Sequence, residues 1–109
     1  MAYFHPNLTE DTWQSLSKTK EILNIGSELT RAKINFAKGY NVDGARSVDR
    51  ALELLDLTIG DPKWHGGGRR ELLRLREYLG SAYEEPDKDW NTILRVLLQL
   101  DPQAVLVHV

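Results

Sequence analysis

The residues whose chemistry is easiest to name surround three consecutive glycines in the stretch WHGGGRRELLRLR, residues 64–76. A glycine-rich turn that opens a helix often binds phosphate, because the first helical turn presents unpaired backbone N–H groups and a partial positive charge. Arginine engages phosphate or carboxylate groups bidentately, and tryptophan can stack on a nucleobase. These features predict an anion-binding site formed by Trp64, Gly67, Gly68, Arg69, Arg70 and Arg74.

The same stretch also fits a turn with a purely structural role, and this interpretation is favoured. Three glycines make a sharp connection at low steric cost without any ligand. Trp64 close to Pro62 is typical of an aromatic side chain folded over the end of a helical bundle. Glutamates alternate with the arginines and can pair with them on the helix surface. Arg74 is expected to reach a carboxylate on the preceding helix, either Glu53 or Asp56.

No catalytic arrangement is recognisable elsewhere in the chain. The three histidines are widely separated, and the absence of cysteine excludes thiol nucleophiles, thiolate metal sites and disulfides. The sequence contains no nucleotide-binding loop, serine-hydrolase elbow or zinc-protease motif. The acidic cluster at residues 84–89 precedes a helix, where carboxylates stabilise the positive end of the dipole. We therefore expect a non-enzymatic protein with no metal site and no cofactor.

Four segments have the spacing of apolar residues that is typical of amphipathic helices, at about residues 9–38, 43–59, 68–83 and 88–100. The first is long, so we expect an interruption at Gly26 or in LSKTK, residues 16–20. Gly39 and the Gly60-Asp61-Pro62 sequence are helix stops. Residues 103–109, QAVLVHV, fit a short helix, a strand or a packed tail. The predicted fold is all-α, a single-domain antiparallel bundle of about four helices.

Residues 38–56, KGYNVDGARSVDRALELLD, resemble the middle of a tetratricopeptide repeat. The residues at matching positions are Gly39, Gly44, Val48, Ala51 and Leu52. The resemblance covers under a fifth of the chain, no second copy follows, and Asp56 stands where the repeat has its closing proline. Any tightly packed antiparallel helical hairpin needs small residues at the same places, and this interpretation is favoured over a true repeat. The resemblance favours an interaction module, although it assigns no peptide-binding residues.

Composition restricts the partners. The net charge of −2 provides no global field for nucleic acid or an anionic membrane, so nucleic-acid binding would need a local patch. The N-terminal residues lack the features of a secretory signal and no apolar run is long enough for a membrane span, so we expect a cytoplasmic protein. The leading functional interpretation is a protein–protein interaction module that binds a partner, or a second copy in a homodimer, through the apolar tail. The alternative is a phosphate-containing ligand or nucleic acid bound at the glycine-rich turn.

Overall fold

The computed structural model describes residues 8–82, 84–85 and 88–108, which contain helices and turns but no strand. This confirms the predicted all-α bundle. A 3-10 turn at Pro62–Trp64, here called the Pro62–Trp64 turn, links the third and fourth helices. The helices are α1 (Glu10–Gln14), α2 (Lys18–Ala37), α3 (Asn41–Ile59), α4 (Gly67–Gly80), α5 (Trp90–Leu98) and α6 (Pro102–His108).

The central helix is α2, which packs antiparallel against both α3 and α5. Arg50 of α3 donates from Nε to the buried Glu28 carboxylate of α2 at 2.7 Å. Nearer the C-terminal end of α2, Lys33 donates to the side-chain oxygen of Asn91 in α5 at 2.7 Å. On its other face α3 packs against α4. All six helices contribute apolar side chains to one core, together with Trp64.

The first predicted helix is two helices, and the break lies at residues 15–17, where LSKTK begins. The Ser17 hydroxyl accepts from the Lys20 amide at 3.2 Å and caps α2. The break allows α1 to turn onto α3, where the Trp13 indole donates to the Thr58 hydroxyl at 2.9 Å. Gly26 was the wrong candidate for the interruption. It lies within α2, where a Cβ would meet Leu97 of α5 at 3.7 Å.

Four other helix ends differ from prediction by two or three residues, and the remaining predicted ends agree to within one residue. The third helix begins at residue 41 rather than 43, the fourth ends at 80 rather than 83, and the fifth spans 90–98 rather than 88–100. Gly39 ends the α2 region as predicted, with φ 81° in the left-handed conformation. The tail forms a helix, and α6 packs on α2 and α5 through the buried Ala104. Tyr83, Asp87 and Val109 lie outside the described residues.

Candidate functional site

The glycine-rich turn has the backbone geometry expected of a helix start. Gly66 adopts φ 96° immediately before α4, and no side chain caps this helix. Arg69 does not face the open amides, because its Nε donates at 3.3 Å to the Ile59 carbonyl at the end of α3. Arg70 is exposed and makes no ion pair or side-chain hydrogen bond with the described residues. Within the predicted anion site, therefore, the helix start and Arg70 have no side-chain partner in the part of the chain that the structure describes.

Trp64 and Arg74 have other partners. Trp64 is buried, and a Cβ on Gly68 would lie 3.0 Å from its ring, so Gly68 makes room for the indole. The indole closes the end of the bundle rather than offering a stacking surface. Arg74 pairs with Glu71 on its own helix at 2.6 Å. Asp56 is bound bidentately by Arg76 rather than by Arg74, because residue 76 lies on the side of α4 that faces α3.

Beneath the turn lies a buried polar corner, formed by Glu21, Asp61, Lys63 and Trp64. Glu21 and Asp61 are almost wholly excluded from solvent, at 0% and 1% exposure. The Lys63 ammonium lies 2.6 Å from Asp61 Oδ2 and 3.2 Å from Glu21 Oε1, and it donates to the Gln14 carbonyl of α1 at 2.7 Å. The Trp64 indole Nε1 lies 3.3 and 3.4 Å from the two Glu21 oxygens. The corner thus ties α1, α2 and the Pro62–Trp64 turn together.

The two carboxyl groups of the buried polar corner titrate differently. Burial raises the pKa of Glu21 from 4.5 to about 7, and the hydrogen bond with Asp61 and its negative charge add to this, against the opposing effects of Lys63 and Trp64. Burial also opposes ionisation of Asp61, but hydrogen bonds from Lys63 and Glu21 outweigh it and lower the pKa of Asp61. Asp61 therefore holds the negative charge, and Glu21 is the group that is protonated below neutral pH.

The sequence prediction missed this corner. Glu21 and Glu28 are buried on the face of α2 that carries Ile22, Ile25 and Leu29. Two glutamates seven residues apart within an apolar helical stripe are the signal that was available, since carboxylates are rarely buried unless paired. The pattern indicates buried polar links, but the sequence alone does not show which residues they reach.

A second surface is the α4–α5 groove, an open apolar depression of about 340 Å³ between these two helices. Leu75 and Ile93 form its floor and are buried, whereas Tyr78 and Val96 form its walls and are 47% and 36% exposed. The Lys88 ammonium lies 3.9 Å from the Tyr78 ring centroid and helps to hold this wall. The polar rim of the groove consists of Glu71, Arg74, Asp89 and Thr92.

On the other side of α5, α6 presents a second apolar feature. The Thr19 hydroxyl bonds to the Asp101 carboxylate and holds the start of α6 on α2. Ala104 faces inward, but Leu106 is 78% exposed, more than any other large apolar side chain among the described residues. Thus α6 is attached to its own bundle while Leu106 faces solvent.

Neither a metal centre nor a membrane span is found in the described part of the chain. No group of three or more His, Asp or Glu residues there is arranged to hold a metal ion. Of the helices among these residues, none combines the length and apolar composition needed to cross a membrane. Comparison of the chain with protein-family models, with curated proteins and with solved structures finds no match, so the resemblance of residues 38–56 to a tetratricopeptide repeat stays a prediction.

Proposed function

We propose that this protein is a non-enzymatic interaction module that self-associates by placing an apolar helix in the α4–α5 groove. The observation that carries the proposal is the groove itself. Its floor and walls are apolar, since Leu75 and Ile93 lie at its base and Tyr78 and Val96 at its sides. Amphipathic helices dock into such grooves through side chains spaced three or four residues apart.

The groove has the dimensions and charge of a site for a short uncharged helix. Its lining residues span about two helical turns of α4 and of α5, which accommodates a few anchor side chains. Glu71 and Arg74 on the rim neutralise each other, and Asp89 is occupied as the cap of α5, where it accepts from the Thr92 amide at 3.1 Å. The rim therefore provides little attraction for a strongly charged ligand, and burial of apolar area supplies the driving force.

The occupant that we propose is α6 of a second copy, with Leu106 as the anchor. The described face of α6 that looks outward is uncharged: it contains Pro102, Gln103 and Leu106. In the same molecule the groove is lined by Ile93 and Val96 of α5, whereas Val105 of α6 lies with Leu94 and Leu98 on the other side of α5. We propose that the two copies are related by a two-fold axis parallel to α5, which places each α6 over the groove of the other copy. Such a reciprocal contact closes as a dimer, whereas a one-sided contact would propagate.

Sedimentation equilibrium tests this proposal. We expect the wild type to be a concentration-dependent dimer. Leu106→Asp and Val96→Asp should each weaken it about tenfold or more, because each introduces a charge where an apolar side chain is buried. Val42→Asp is the matched control, since Val42 is an apolar residue with 69% exposure at the start of α3 and should not affect the dimer. A monomeric wild type, or a dimer that neither groove nor tail variant weakens, would contradict the proposal.

Binding of a phosphate-containing ligand or nucleic acid is the second candidate function. It is favoured by the uncapped start of α4 and by Arg70, which has no carboxylate partner among the described residues. The test is titration with inorganic phosphate and with a short single-stranded RNA in low salt, where phosphate binding is strongest. We expect amide NMR shifts at residues 67–70 that Arg70→Met abolishes and Arg74→Met retains. Unchanged amide shifts with both ligands would exclude the site.

A further inference from the structure

We propose that the buried polar corner is a pH-dependent latch, in which a proton shared by Glu21 and Asp61 holds α1 and the Pro62–Trp64 turn against α2. When that proton is lost, the corner contains two buried carboxylates and one ammonium group, and the turn opens more readily. This inference is independent of self-association, because the corner contributes no residue to the α4–α5 groove or to α6.

The contacts on each side of the corner show what the proton holds together. Protonated Glu21 can donate to Asp61 while its remaining oxygen accepts from Trp64 and Lys63. Lys63 also binds the last residue of α1 through the Gln14 carbonyl. Loss of these bonds therefore affects the attachment of α1 and of Trp64 together, because both are joined to α2 through Glu21.

No other described cation compensates for a second negative charge in the corner. Lys18 of α2 lies over the Trp64 ring, 4.9 Å from its centroid. Arg69 of α4 is bound to the Ile59 carbonyl at the end of α3. From α1, the Glu10 carboxylate lies close to Gly60 and adds negative rather than positive charge near Asp61. Among the described residues, ionisation of Glu21 is therefore balanced by Lys63 alone, which also pairs with Asp61.

The pH range over which the latch opens follows from the direction in which the pKa of Glu21 is shifted. The pKa of Glu21 is raised from 4.5 to about 7 in the folded corner. The contacts of protonated Glu21 therefore stabilise the corner fully below pH 4.5, and this stabilisation is lost as the pH rises to 7. The pKa of Asp61 is lowered, so its contribution is lost only as pH falls below 3.8, outside this range. Lys63 has a raised pKa and keeps its charge throughout.

Hydrogen exchange of the Trp64 indole N–H and of the amides of α1 measures the opening. Protection factors corrected for intrinsic exchange should fall by up to about tenfold per pH unit between pH 5 and 7 and then level off, since one proton is released on opening. The side-chain carbon of Glu21 should titrate near pH 7 by NMR.

Three variants test whether the pH dependence of opening comes from Glu21 or from another titratable group. Glu21→Gln mimics the protonated acid, because its amide group can donate to Asp61 while its oxygen accepts, and it should remove the dependence on pH. Asp61→Asn should move the midpoint to lower pH. His65→Gln is the control, because His65 directly follows the turn but does not belong to the corner; it should leave the dependence unchanged. A wild-type Glu21 that titrates near 4.5, or Glu21→Gln with the wild-type pH dependence, would overturn the latch.

Discussion

At the scale of single residues, Gly44 shows how a missing side chain determines packing. A Cβ at this position would lie 2.7–2.8 Å from ring atoms of Phe36, which stacks on Trp90 with 5.6 Å between ring centroids. Gly44→Ala should therefore lower the free energy of unfolding by about 1–3 kcal/mol, because Phe36 must move and disturb the stack. Gly80→Ala, where a Cβ meets nothing within 4 Å, should change it by less than about 0.5 kcal/mol. Urea denaturation measures both, and equal effects would contradict this account.

The sequence indicated the role of Trp64 but not the different roles of Arg69 and Arg70. Trp64 was predicted as an aromatic lid because of its place beside Pro62, and the structure confirms its burial at the bundle end. Arg69 and Arg70 look equivalent in the sequence, yet only Arg69 reaches the end of α3. Such a difference depends on the rotation of α4 against α3, and no local pattern encodes that rotation.

At the scale of the elements, the break between α1 and α2 depends on a cap. The Ser17 hydroxyl accepts from the Lys20 amide, so Ser17→Ala should lower the free energy of unfolding by about 0.5–2 kcal/mol. Ser27→Ala is the control within the same helix. Its hydroxyl only bonds back to the Leu23 carbonyl, and alanine is the better helix former, so this variant should be neutral or slightly stabilising. Thermal or urea unfolding gives both values, and a loss of stability in Ser27→Ala as large as in Ser17→Ala would refute the capping role.

Helical periodicity predicted the four main helices because each buries one apolar stripe, and this signal is local. The ends were less predictable. Thr9 and Ser17 are both good caps eight residues apart, and the segment between them has a helical pattern. The break is stabilised by the bond between Trp13 and Thr58, residues 45 positions apart in the chain. The tail likewise forms a helix because α2 and α5 provide a surface for it.

At the scale of the whole molecule, the α4–α5 groove arises from the arrangement of the bundle. Because α2 lies at the centre and packs against α3 and α5, while α3 packs against α4, the helices α4 and α5 contact each other only sparsely. The sequence predicted the apolar faces of these helices. The groove itself was not predictable, since its opening depends on how the helices lie relative to one another.

Mixing two dimer-defective variants tests the central claim of reciprocal docking most directly. Leu106→Asp retains an intact groove, and Val96→Asp retains an intact α6. Each variant alone should sediment as a monomer, whereas an equimolar mixture should form a heterodimer, because one of the two contacts is restored. The heterodimer should be weaker than the wild-type dimer. A mixture that remains as monomeric as its components, at concentrations where the wild type is dimeric, would contradict docking of α6 into the groove.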